Sequence, residues 1–140
     1  MNFELHPNFK EKIHIIDLNL CKVFLENEKN YPWILLIPMK TGIKKIIDLN
    51  IDDQMILYKE MSMAQEILWN AYHPDQINVA AIGNKTPQLH IHIIARFTTD
   101  PAWPMTVWDH PIKEKLNDDE TQSIVKNLRA KFMAQMKKIK

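Results

Sequence analysis

Glycine is the scarcest informative residue in this chain: Gly42 and Gly83 are the only two among 140 residues. Neither a GxGxxG nor a GxxxxGK[ST] loop can be written, so the two common glycine-rich phosphate cradles are excluded. Cys21 is the single cysteine, which rules out an internal disulfide and every multi-cysteine zinc site. The serines, Ser62 and Ser123, have no glycine neighbours and sit in stretches that read as helix. A nucleophile elbow is therefore not expected. Long apolar runs are missing too. The longest, Trp33 to Met39, falls far short of the roughly 20 residues that cross a bilayer. Glu4, His6, Pro7 and Lys10 interrupt the N-terminus where a signal peptide needs an apolar stretch. These features predict a cytoplasmic protein with no membrane association. Eighteen basic against seventeen acidic side chains leave a net charge of +1, so no overall field draws the chain to nucleic acid.

What remains is ordinary globular material, 46% hydrophobic and 25% charged, enough for a core without staples. No repeat or linker interrupts it, and residues 1–140 are expected to form one domain. Within it, the core spans about 10–100 and a Trp/Pro segment with a C-terminal helix spans 101–140. Leu18 to Leu25 and Trp33 to Met39 read as strands separated by the turn formers of Glu26 to Pro32. Asn50, Asp52 and Asp53 open a helix of about 51–72, with Leu57, Met61, Ala64, Leu68 and Ala71 on one stripe and Pro74 as its stop. Gln76 to Ile82 and Gln88 to Phe97 read as a second strand pair about the turn Gly83 to Pro87. A last helix carries Val125, Leu128, Phe132, Met136 and Ile139 on one face, with Asp118, Asp119 and Glu120 at its start. The lysines and arginine from Lys126 to Lys140 are read as its solvated outer face, suited to the helix dipole. Strands, helix, strands, helix is an α+β order, and each short strand connection makes its pair antiparallel.

Gln88, His90 and His92 alternate with Leu89, Ile91 and Ile93. Residues two apart on a strand share a face, so three polar groups are expected to project together while aliphatics enter the core behind them. An HxH pair alone is weak, because chance supplies roughly a quarter of one in such a composition. Its context is stronger. The segment QLHIHIIAR resembles the HxHxHxx signature of the histidine triad family, which often closes with an arginine four residues beyond the last histidine. Arg96 sets that register: His92 matches the third histidine, His90 the second, and Gln88 stands in place of the first. Gly83, five residues before Gln88, matches a glycine the family often has. The likeness runs from the Tyr31–Met39 hairpin through the long helix to Arg96. The following DPAWPMTVW, Asp100 to Trp108, is similar to one bacterial branch.

The resemblance implies a five-stranded antiparallel sheet with a long helix and a C-terminal helix. It also implies a homodimer, no required cofactor or metal, and a purine nucleotide as substrate. The implied activity is a nucleotide hydrolase or nucleotidyl transferase working at the α-phosphate through a nucleotidylated middle histidine. Nucleoside phosphoramidates and dinucleoside polyphosphates are the substrate classes. His90 is then the nucleophile, through a neutral ring whose Nε2 lone pair faces phosphorus while a partner holds the other nitrogen. His92 binds phosphate oxygens or assists the leaving group. Gln88 retains a positioning role but cannot carry a proton. Glu26 or Asn27 is the ribose candidate, Asn84 and Lys85 lie where the family contacts phosphates, and Asn78 is one residue from a binding position. With only Arg96 and Arg129 available, the substrate is held chiefly by nucleoside and α-phosphate.

Two departures bear on turnover: Gln88, and Trp33 after Pro32 where many members have histidine. They keep open a nucleotide-binding regulatory module that has lost catalysis. A third reading places a divalent metal on His90 and His92, completed by Asp109 or His110. Trp103 and Trp108, among Pro101, Pro104 and Pro111, either cover a core edge or pack over the site. His6, His14, His73 and His110 are read as surface or turn residues.

Overall fold

A computed structural model describes residues 2–138 of the chain. Its elements are β1 (Ile13–Asp17), β2 (Cys21–Leu25), β3 (Trp33–Pro38), α1 (Ile51–Tyr72), β4 (Gln76–Ala80), β5 (Ile91–Arg96) and α2 (Asp118–Lys138). The five strands form one sheet in the order β1-β2-β3-β5-β4, and every neighbouring pair is antiparallel. This is the expected α+β architecture.

The strand expected over Leu18–Leu25 is shorter, β2 from Cys21, and Leu18 opens a turn, its N–H bonded to the Cys21 carbonyl at 2.8 Å, that leads back to the unexpected β1. A bulge between His14 and Ile16 breaks the period-two pattern of β1 and hides it from a periodicity reading. β5 likewise begins at Ile91 and not Gln88, because its pairing with β3 ends at Leu36↔Ile91. Leu89 N–H turns instead to the Ile43 carbonyl at 2.9 Å.

α1 keeps its predicted bounds because both ends are chemically marked. Asn50 accepts from Asp53 N–H at 2.8 Å, and His73 closes the helix at φ 51°, left-handed, ahead of Pro74. Its buried face is shifted from the predicted stripe: Leu57, Glu60, Met63, Ala64, Ile67 and Leu68 are buried, while Met61 and Ala71 lie at the margin. The helix sits against both β5 and α2, so a wider face is covered than one stripe provides. α2 buries Val125, Leu128 and Phe132, and Arg129 Nε reaches the Ile15 carbonyl at 2.7 Å. Ile139, last in its expected stripe, and Lys140 lie outside the described residues.

The two faces of the sheet are covered differently. On one, Ile15, Val23, Ile34, Leu36, Ile91 and Ile93 form a core with both helices. On the other, Phe24, Trp33, Leu35, Ile37 and Ile94 meet Phe9 from the N-terminal segment and Ala102 and Val107 from the Trp/Pro segment. His90 and His92 belong to this second face, under irregular chain. Among the described residues no helix is long and apolar enough to cross a membrane.

Candidate active site

Alternation along residues 89–96 does what its sequence implies. Leu89, Ile91 and Ile93 enter the helix-side core. His90 and His92 emerge on the opposite face with ring centroids 4.9 Å apart. His92 lies on an interior strand of the sheet, paired with Leu35 on β3 and Ala80 on β4. Trp33 pairs with Ile94 and is thus a diagonal neighbour, within reach of a side chain as large as indole.

His90 Nδ1 lies 2.8 Å from the Gln88 carbonyl oxygen. A carbonyl only accepts, so Nδ1 carries the proton and the neutral ring presents its lone pair at Nε2. Phe9 packs edge-on against this imidazole at 4.9 Å. His90 is 8% exposed and is one of the residues that line a hollow of about 300 Å³, with Lys44, Lys45, Ile82, Gly83 and Leu89. Burial, joined by the Lys12 charge, holds the His90 pKa below the usual histidine value against the opposing pull of the Gln88 carbonyl and Glu26.

His92 is also 8% exposed. Its Nδ1 accepts from the Trp33 indole Nε1–H at 3.1 Å, and Trp108 stands edge-on to its ring at 5.0 Å. Burial first, then His90 and Lys12, push its pKa down to about 3. Both imidazoles are neutral at pH 7, a state in which one ring nitrogen has a free lone pair and the other is a donor.

The other expected site residues divide. Gln88 does not place its amide beside the histidines. Its Oε1 accepts from His6 N–H and its Nε2 donates to the Glu4 carbonyl, both at 2.9 Å. Gln88 precedes the paired strand, so the alternation argument does not govern its side chain, and its backbone carbonyl is what touches His90. Glu26 takes the Lys12 ammonium at 2.5 Å and, with Asn27, Trp33, Lys113 and Lys115, lines a polar hollow of about 180 Å³. Asn27 Oδ1 accepts from Leu116 N–H at 2.8 Å. Asn78 Oδ1 accepts from Arg96 Nη1 at 2.8 Å, which ties it to a structural arginine. Asn84 and Lys85 are exposed on the turn after Gly83, itself at φ +62°.

Phe9, Lys12 and the strap from Glu4 to Phe9 have no signal in the sequence, since each joins the site from far away in the chain and carries no motif. Trp108 does pack on the site, 5.6 Å from Trp33 and beside His92. Trp103 lies 5.7 Å from the Arg96 guanidinium. Asp109 closes its own turn, accepting from Thr106 N–H and Oγ1 at 2.9 and 2.8 Å. Among the described residues no three His, Cys, Asp or Glu side chains gather as metal ligands.

Residues 9–99 match the profile of the HIT domain. Among solved structures, a histidine triad protein of Bradyrhizobium japonicum is 41% identical over 94% of this chain and 98% of that one, with a TM-score of 0.90. A histidine triad protein of Marinobacter aquaeolei VT8 is 33% identical over 94% and 96%, with a TM-score of 0.89. A diadenosine triphosphate hydrolase of Plasmodium falciparum has the same fold at 18% identity, 91% and 88% coverage and a TM-score of 0.61. No curated protein sequence matches significantly.

Proposed function

The chain belongs to the histidine triad (HIT) family, and on that premise we propose that it is a nucleotide hydrolase or nucleotidyl transferase acting at an α-phosphate. Its substrates are nucleoside phosphoramidates or dinucleoside polyphosphates. The observation that carries this reading is the Gln88 carbonyl on His90 Nδ1, which leaves the lone pair of a neutral ring at Nε2. In the first step the Nε2 lone pair forms a bond to phosphorus, and the bond to the leaving group breaks, a phosphate departing as its anion and an amine departing neutral after taking a proton from solvent. His92, with its ring beside that of His90, stabilises the charge that develops on phosphorus oxygens. Water or another acceptor then attacks phosphorus, the Nε2–P bond breaks, and the nucleoside monophosphate leaves as a proton passes to solvent.

Glu26 is the ribose acceptor, paired with Lys12 until substrate arrives. Asn84 and Lys85, free on the turn after Gly83 among the described residues, take phosphate oxygens. The Oδ1 atoms of Asn27 and Asn78 are engaged by Leu116 N–H and by Arg96. The protein acts as a cytoplasmic homodimer without cofactor or nucleic acid. β4 lies at the sheet's end with Val79 exposed, which supports pairing of two sheets edge to edge. The existence of a diadenosine triphosphate hydrolase on this fold supports trying that substrate class beside adenosine phosphoramidate.

Intact-mass spectrometry during turnover of adenosine phosphoramidate tests the reading. The expected result is a transient AMP adduct that disappears in His90→Asn. Bound AMP with no adduct and no product sinks the enzyme reading in favour of a nucleotide-binding module.

A further inference from the structure

The Trp33–His92 contact has a chemical consequence that a histidine partner lacks. Indole Nε1 is a donor only and neither accepts nor gives up a proton at accessible pH. Its N–H points at His92 Nδ1 across 3.1 Å. The pair is sealed: Trp33 is 4% exposed and His92 8%, and Trp108 stands edge-on to both rings at 5.6 and 5.0 Å. Nδ1 must therefore be the unprotonated nitrogen, and the proton of the neutral ring sits on Nε2. Formation of the imidazolium needs a second proton on Nδ1, where the indole hydrogen already lies. The other ionisable groups facing the ring, His90 and Lys12, oppose that charge as well.

We propose that Trp33 is a positioning residue that locks His92 as the Nε2–H tautomer, making it a fixed hydrogen-bond donor that does not deliver a proton. This deepens the function proposed above and rests on it for the kinetic consequence. A neutral imidazole that gives up its Nε2 proton becomes an imidazolate, and indole cannot relay a replacement. The P–O or P–N bond at the α-phosphate therefore breaks without proton transfer from His92. Leaving groups that depart as stable anions, such as a nucleotide or pyrophosphate, or as amines already protonated by solvent, are processed. Alkoxide leaving groups are not. Trp33 is thus a specificity determinant for the leaving group.

The test has two arms. In protein labelled with ¹⁵N at histidine, the ring nitrogens of His92 are expected to report a protonated Nε2 and a bare Nδ1 from pH 8 down to the acid limit of folding. Trp33→Phe, which removes the donor and keeps an aromatic ring, is expected to mix the tautomers. Protonated Nδ1 in the native protein overturns the proposal even if no variant folds, and so does a tautomer unmoved in a folded Trp33→Phe. In the second arm, AMP esters of a nitrophenol and of a simple alcohol are compared. The native protein is expected to favour the nitrophenyl ester by at least about 1000-fold, with kcat carrying the difference. Trp33→His, whose ring can relay a proton, is expected to shrink that ratio by on the order of tenfold to a hundredfold. An unchanged ratio overturns the specificity claim. Absence of turnover with every ester, together with the expected ¹⁵N signals, overturns the proposed activity and its kinetic consequence but not the tautomer.

Discussion

Arg96 and Asp100 form an ion pair with Nε 2.8 Å from Oδ2 and both side chains 2% exposed. Each nitrogen and oxygen of the two charged groups has a hydrogen-bond partner. Arg96 also donates to Asn78 Oδ1 and the Met105 carbonyl, each at 2.8 Å, and lies 5.5 Å from the Tyr31 ring centre. Asp100 further accepts from the backbone N–H groups of Phe97, Ala102 and Trp103. The pair thus pins the Trp/Pro segment to the sheet, and with it Trp108 over His92. Burial alone raises the Asp100 pKa, but the bonds from Arg96 and the backbone outweigh it and leave the carboxylate below its ordinary range.

Arg96→Met strands that carboxylate. Removal of one partner from a buried pair costs about 3–5 kcal/mol, which urea denaturation should register, along with a changed Trp103 fluorescence. A loss below about 1 kcal/mol contradicts the role assigned to this pair.

Stability is expected to depend on pH through the two site histidines. His90 and His92 have folded pKa values below the unfolded value of 6.5, His92 at about 3. Between those limits the unfolded chain binds more protons, so stability is fully present above about pH 6.5 and declines as the pH falls. Each imidazole contributes at most about 1.4 kcal/mol per pH unit. In urea titrations from pH 7.5 to 4.5, the double variant His90→Asn/His92→Asn should have a flatter profile than the native protein. Parallel profiles would falsify the buried neutral state.

Gln88→Ala removes two bonds to the N-terminal strap while leaving the carbonyl that holds His90. Each bond contributes about 0.5–1.5 kcal/mol. Faster amide hydrogen exchange at His6 and a partial loss of activity are expected, in contrast to the complete loss in His90→Asn. Complete inactivation by Gln88→Ala would show that the amide itself takes part in chemistry.

Glu60 is a buried carboxylate that accepts from Leu20 and Cys21 N–H at 2.9 Å each. Burial raises its pKa. Glu60→Ala leaves two buried donors without partners at about 1–3 kcal/mol apiece, whereas Glu60→Gln keeps one acceptor and should recover about half of the loss. Thermal melts of the two variants decide between this anchoring role and mere space filling. Cys21 beside it is buried, with its thiol pushed up by burial and then by Glu60, so iodoacetamide should label it only after unfolding.

Local chemistry was legible in the chain from the start. Period-two alternation placed His90 and His92 on one face with Leu89, Ile91 and Ile93 behind them, because a strand has only two sides. Asn50 and Pro74 marked the ends of α1, because caps act on atoms within a turn. Partner choice was not legible. That Gln88 binds the chain 82 and 84 positions away, that Trp33 meets His92 across 59, and that Asn27 holds Leu116 across 89 depends on which atoms the packed sheet brings within about 3 Å. A hydrogen bond is satisfied by proximity and not by any pattern of neighbours, so only the folded chain determined whether the Gln88 side chain reached His90 or the strap.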